Sequence, residues 1–467
     1  MRRAFRIALK LTKWLAIAGV SIYLLLVLVN LPDEALTAEE RALAEPNRPA
    51  VPDSQNIYVA LLGFYAPPGI DSMAYGAKRL AQHNEAAAKD PWRHDRVAKL
   101  RAGQPIGEDK DTLKWIDGGR KLPSRFEGPI LPNALGQAQD VTYLLEANVE
   151  LIARYRTLQS LPQFSNTAVP DILSPVLLLG APADARSVLL AQCAIDALSG
   201  RSKRALEFLT ADISLWRRVL AGSGTLIDEM RAITYLAGDF RLVSDLISSR
   251  EFDAFAHRAT LASLTTPLTK PELGFGQMFA NEFQENARLL SSIDDEEMRE
   301  AHDSWLSRAG AFLFYFPFFK LNATLNRSAH AMTNYQRLAG LAPSDYLLAK
   351  ADVKKESEAM ADFGLTWLYN PIGKGLVGVA AIQYEGYVDR LPDLDAYIHL
   401  VRAQLEVRLA SVPSEKVPQF LEKADAESWN PYTNRPFQWS PTAHSLMFDA
   451  VSQPWRKWGT TAVLPLQ

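Results

Sequence analysis

Glu282 and Glu285 stand three residues apart in a stretch that reads as helix, so their carboxylates fall on one face. General acid–base chemistry uses such pairs, and so do ordinary solvated helices. Gly373-Lys-Gly-Leu-Val-Gly378 matches G-x-G-x-x-G literally. A dinucleotide site needs a strand before that motif, so that the pyrophosphate meets a helix N-terminus at a sheet edge. Here Asn370-Pro371 precedes it, and the residues before that read as helix. The glycines therefore read as small residues that let two helices approach. The seven histidines are His83, His94, His257, His302, His330, His399 and His444. No two have the spacing of three or four that puts both on one helical face. With no H-E-x-x-H and a single cysteine, Cys193, no local metal motif exists. Neither a G-x-S-x-G elbow nor a P-loop occurs. The residues thus select no catalytic group, no cofactor and no metal.

What stands out instead is aromatic. Ala311–Phe319 (AFLFYFPFF) holds five phenylalanines and a tyrosine between Arg308 and Lys320. It is too short to cross a bilayer as a helix, and Pro317 removes a backbone donor that a helix would need. One reading is a buried segment against which helices pack. The sharper one makes Phe312, Phe314, Tyr315, Phe316, Phe318 and Phe319 a binding surface for ligand or membrane edge, with the flanking cations facing headgroups.

The element that would bring such a surface to a membrane is the N-terminus. Arg2, Arg3, Arg6, Lys10 and Lys13 precede an uncharged run from Trp14 to Leu31 in which only Ser21 and Asn30 are plainly polar. Those residues as a helix rise about 27 Å, close to the hydrocarbon thickness. The apolar anchor is carried by Trp14, Leu15, Ile17, Val20, Ile22, Tyr23, Leu24, Leu25, Leu26, Val27, Leu28 and Val29. The basic flank predicts a cytoplasmic N-terminus with everything beyond Leu31 on the far side. A cleaved signal peptide is the competing reading, with Leu36-Thr37-Ala38 as a passable site.

Composition bounds the rest. The 467 residues carry a net charge of −3; without the five N-terminal cations, 45 basic residues face 53 acidic ones, a net −8. An acidic exported part builds no broad phosphate-binding surface, so nucleic acid is excluded as the expected partner. One cysteine forbids an internal disulfide, which leaves core burial to hold the fold; 48% apolar residues are enough for that.

Five segments are expected: 1–31, basic flank and anchor; 32–55, a juxtamembrane helix begun by the Thr37-Ala-Glu-Glu40 capping box and a proline-rich linker; 56–136, helices and a long surface loop over 90–134; 137–425, a helical body; and 426–467, a C-terminal β-hairpin and tail. Asn56–Phe64 reads as a buried helix, or else a strand. The 3.6-residue period and helix-stop signals predict helices over 137–158, 183–199, 202–221, 225–248, 251–264, 271–291, 294–308, 321–339, 344–369, 371–389, 393–411 and 414–424. Short breaks between them imply antiparallel hairpins. Phe437-Gln-Trp439 and Leu446-Met-Phe448 alternate about Ser440–Ser445, the pattern of a hairpin. The fold class is mainly α: a transmembrane helix, an irregular array of antiparallel helical hairpins and a small C-terminal β-hairpin.

Asn148–Arg156 (NVELIARYR), Asn322–Asn326 (NATLN) and the ending Asn430–Trp439 resemble segments of uncharacterised membrane-anchored helical proteins of proteobacteria. The ending is also similar to a D-P-x-x-G-x-P-x-x-Y motif of exported bacterial proteins, pseudopilins included. This chain has Asn430 and Asn434 at the Asp and Gly positions and lacks the pilin-type N-terminal Glu. The resemblance implies a single-pass bacterial inner-membrane protein with a periplasmic body and brings no known activity. The expected function is a non-catalytic interaction or scaffold module of the cell envelope, with the lipid bilayer and an envelope protein as partners. Its rivals are an envelope enzyme working through carboxylates and a lipid-handling protein using the aromatic segment.

Overall fold

The computed structural model describes residues 2–45, 50–89, 112–120, 130–170, 180–222, 224–275, 277–294, 310, 313, 315–361 and 364–464. The fold is mainly α, as the periodicity predicts. Helix α1 (Arg2–Val29) leads to α2 (Ala38–Ala44), and Thr37 caps α2 by accepting the Glu40 amide. Asn56–Phe64 takes the helical alternative: α3 (Ile57–Leu62) is buried at every residue, and α4 (Ser72–Lys89) packs on it. Gly63 and Gly76 make that packing possible, because a Cβ on either would collide with the other helix's backbone.

Most of the expected loop, 90–111 and 121–129, lies outside the described residues. Its remainder is tied down: the Leu113 amide donates to Tyr65 O, and residues 130–136 form helix α5 (Ile130–Gly136) in place of loop. The stripe over 137–158 breaks into α6 (Ala138–Ala147) and α7 (Val149–Ser160). Asn148 sits at the break: its buried side chain donates to Ile116 O and to Leu144 O and accepts the Ile116 amide, so it ties the end of α6 to the loop.

The centre is built from α8 (Gly180–Leu198), α9 (Ser202–Leu220) and α10 (Leu226–Ser248). Gly200, at φ +74°, makes the tight reversal between α8 and α9. A Thr225–Asp228 capping box starts α10. Sixteen of the 23 residues of α10 are buried, charged Asp228, Glu229, Asp239 and Arg241 among them, so it is enclosed nearly all round and forms the axis of the molecule. The expected helix at 251–264 shortens to α11 (Arg258–Leu264). That at 271–291 splits into α12 (Lys270–Leu273) and α13 (Met278–Asp294), because buried Phe275 takes a left-handed φ of +53°. The 294–308 helix falls almost wholly outside the described residues.

α14 (Leu321–Ala339) and α15 (Pro343–Ala361) form an antiparallel hairpin. The helix expected to reach 369 ends at Ala361, and Leu365–Leu368 is a single 3-10 turn. α16 (Pro371–Val388) starts at the Asn370-Pro371 cap, and α17 (Arg390–Leu409) follows after Asp389 alone. Instead of one helix over 414–424, a 3-10 turn precedes a short α18 (Val417–Leu421). The predicted hairpin pairs β1 (Gln438–Ser440) with β2 (Ser445–Met447), Trp439 opposite Leu446. After α19 (Gln453–Trp458), β3 (Thr461–Val463) adds an antiparallel third strand that the alternation did not show. Gln404 locks this sheet to the axis by donating to Ser244 O of α10 and Val463 O of β3.

Candidate membrane-facing site

Helix α1 contains one 21-residue stretch, Leu9–Val29, long and apolar enough to cross a membrane, with mean hydropathy 2.0. Trp14, Leu15, Ile17, Val20, Ile22, Leu24, Leu25, Leu28 and Val29 of the anchor are exposed. Tyr23, Leu26 and Val27 are half-buried and Asn30 is buried. That spacing of three, four and seven residues is one helical face, so the last two turns of α1 dock on the body, while Trp14 to Ile22 are exposed.

The docking is polar and specific. The Tyr23 hydroxyl donates to Leu313 O at 2.7 Å, and its ring meets Phe318 edge-on at 6.1 Å. Asn30 Nδ2 donates to Leu26 O and to Leu368 O, and Asn30 Oδ1 accepts the Asn370 amide at 2.7 Å. Asn370, at φ +48°, in turn accepts the amides of Gly373 and Lys320 and donates to Thr324 Oγ1. Asp33 accepts the amides of Asn322 and Ala323, which serves the start of α14 as a cap supplied from another segment. Asn326 donates to Glu34 and to Ala35 O and accepts the Thr37 amide. Higher up, His330 lies between Glu39 of α2 at 3.1 Å and Glu356 of α15 at 2.8 Å. The hydrogen bond to Glu356 foremost raises its pKa above the usual histidine value, against a smaller effect of burial. Residues 23 to 39 therefore run alongside 313 to 330 in the same direction. The chain leaving α1 is bonded to the body well before the proline-rich stretch at Pro46–Pro52.

The aromatic segment borders this junction. Phe319 is buried, while Tyr315, Phe316 and Phe318 are half-buried around a 3-10 turn at Phe316–Phe318. A fully buried segment is thus not what these four residues form. Phe312 and Phe314 lie outside the described residues.

The other candidates resolve into structure. Glu282 is tied into the fold, with Tyr384 donating to its Oε2. Its Oε1 accepts the Leu226 amide at the start of α10, and burial raises its pKa. The G-x-G-x-x-G stretch lies inside α16, and a Cβ on Gly373 would meet Thr324 Oγ1 at 1.9 Å. Close helix approach is what that glycine supplies. Cys193 is buried with its Sγ 3.2 Å from Ala205 O, and burial pushes its thiol pKa up. Among the described residues, no group of three His, Cys, Asp or Glu side chains is placed to hold a metal ion.

Two features escaped the periodicity. In the core, Arg186 bridges Asp212 and Asp239, all three buried, while Tyr155 donates to Asp212 and the guanidinium sits over the Tyr235 ring. Burial raises the pKa of Asp239 despite the arginine, since two carboxylates share one cation. Charged residues at apolar stripe positions were the available signal. On the surface, a cleft of about 620 Å³ opens between the end of α17 and the sheet, lined by Arg408, Ser411, Glu415, Trp439, His444 and Leu464.

The fold and site define a mainly α protein with one membrane-compatible helix built into the end of its body. No family model, curated protein or solved structure matches the chain.

Proposed function

We propose that the chain is a single-pass bacterial inner-membrane protein whose periplasmic helical body acts as a non-catalytic interaction module of the cell envelope. One observation carries the reading: Asn30, Asp33 and Asn326 bond the outer end of α1 to the body, so the body is held in one orientation against the membrane instead of swinging on a leash. A fixed orientation favours a protein that presents a surface to an envelope partner. The cleft lined by Arg408, Trp439 and His444 is the candidate surface for it, offering a cation and aromatic rings.

Affinity isolation of the full chain from its own membranes tests this, with a Trp439→Ala, Arg408→Glu double variant isolated in parallel. The expected result is an envelope protein enriched with the native chain and lost with the variant. Lipid or glycan recovered in its place would replace this reading with lipid handling or with an enzyme of envelope material. A reporter fused after Gln467 that works only outside the cytoplasm should be active; a cytoplasmic C-terminus would end the proposal.

A further inference from the structure

The contact face on α1 begins at Tyr23, and this conflicts with a body standing clear of the bilayer. If the hydrocarbon ended where the body begins, the uncharged run would offer only residues 14–22 to cross it. Nine helical residues rise about 13 Å, less than half of a hydrocarbon core of about 30 Å. Moving the helix toward its N-terminus would draw Lys13 and then Lys10 into the core, at about 2.5–3.5 kcal/mol each near the centre. Leu24, Leu25, Leu28 and Val29, on the face of the same turns that points away from the body, are exposed and would lie in water.

We infer that the body sinks into the outer leaflet, with Leu313, Tyr315, Phe316, Phe318, Leu365 and Leu368 forming an apolar collar around α1 that meets lipid acyl chains. Tyr23 lies seven residues below Asn30, so the collar reaches about 10 Å inward from the end of the span. Several polar atoms at that depth have partners within the protein, Lys374 Nζ on Thr366 O among them. The Tyr23 hydroxyl has Leu313 O, the Asn30 amide has Leu368 O, and the Lys320 amide has Asn370 Oδ1. Irregular backbone survives at membrane depth only where protein supplies its partners, and Pro317 has no amide to satisfy. Leu313 (42% exposed), Leu368 (45%) and Leu365 (86%) point their side chains outward beside the helix, where water would be a poor neighbour. The collar is continuous with the lipid-facing side of α1, and that continuity identifies its occupant as acyl chains.

The inference rests on α1 spanning the membrane, so the experiment reads both. Full-length protein carrying Cys193→Ala receives one new cysteine at a time: Ile17→Cys in the span, Phe316→Cys or Leu365→Cys in the collar, and Leu348→Cys on exposed α15. Each is labelled with an environment-sensitive fluorophore and reconstituted in phosphatidylcholine–phosphatidylglycerol vesicles containing acyl-brominated lipid. The expected result is blue-shifted emission and strong bromine quenching at 17, 316 and 365, with neither at 348. Quenching at 17 but not at 316 and 365 would overturn the collar and leave the span standing. Collar labels shielded from bromine in a dimer would overturn it too, by making a second copy the occupant. Absence of quenching at 17 would overturn the span and the collar with it.

Discussion

Replacing Asn30 by leucine tests whether α1 and the body are one rigid unit. Leucine has the same branching and number of side-chain heavy atoms and keeps the run apolar, but it can neither donate to Leu368 O nor accept the Asn370 amide. Leu26 O keeps its helical donor, the Asn30 backbone amide at 3.2 Å, so the loss falls on the body's side of the junction. The buried Asn370 amide is orphaned at about 1–3 kcal/mol, and the part-buried Leu368 carbonyl, which water can reach, adds less. The local opening free energy should therefore fall by at least about 1 kcal/mol, which is roughly a 5-fold faster amide exchange. The Asn370 amide reports this directly, and those of Lys320 and Gly373 report it at one remove, since both donate to Asn370 Oδ1. Hydrogen exchange on the full chain in lipid nanodiscs is the assay, with amides in the middle of α10 as the internal standard. Asn30→Asp, which keeps an acceptor but not the donor, should fall between wild type and leucine. Unchanged exchange at Asn370 in an inserted Asn30→Leu protein would refute the docking.

Three further outcomes follow from buried or bridging groups. His330 has a raised folded pKa, so its contribution is complete below about pH 6.5, the unfolded value, and is lost as pH rises through the folded one. Exchange protection of α2 should accordingly weaken with rising pH, and His330→Gln should flatten the profile; a flat profile in the native protein would show that the Glu39–His330–Glu356 contacts do not hold α2. Glu229 is fully buried with neither carboxyl oxygen bonded, and burial raises its pKa well above the usual range. Burial disfavours its charged form in the folded state, so Glu229→Met should stabilise the protein by about 1–3 kcal/mol at pH 8 and by less at pH 5. Equal destabilisation at both pH values in thermal melts would contradict that. Cys193→Ala should cost about 1 kcal/mol in a denaturant melt, as for a small buried hydrophobe, and rapid thiol labelling of the native chain would show the burial to be wrong.

Helix type and order were legible because apolar residues recur with the helical period, and α8, α9, α10 and α14 lie within a few residues of the predicted spans. The errors share one physical origin: a side chain or backbone serving a distant segment. A continuous stripe breaks at Asn148, which bonds Ile116, and Phe275 reverses the chain because its ring fills a core position. Neither demand is local, so no window of sequence contains it. Strand β3 was missed for the same reason, being three residues whose pairing partner precedes them by some sixteen positions. The site was half legible. The anchor and the aromatic run were visible as composition, but their meeting across some 290 residues was not.

Tyr23 and Asn30 show how that meeting could have been sought. In an isolated spanning helix a hydroxyl and an amide at depth are liabilities, each costing several kcal/mol without a partner. A span that keeps both therefore implies partners at the same depth, and among the described residues Leu313 O and Leu368 O are the carbonyls that meet them. The argument runs backwards as well. With residues through Asp33 absent, Leu368 O, the Asn370 amide and the amides of Asn322 and Ala323, which Asp33 otherwise accepts, all lose these partners together. Helices α14 and α16 begin at that junction and run outward in parallel, Thr324 against Gly373 at one end and Tyr335 against Tyr384 at the other. The first turns of both helices thus take hydrogen-bond partners from the residues that follow α1.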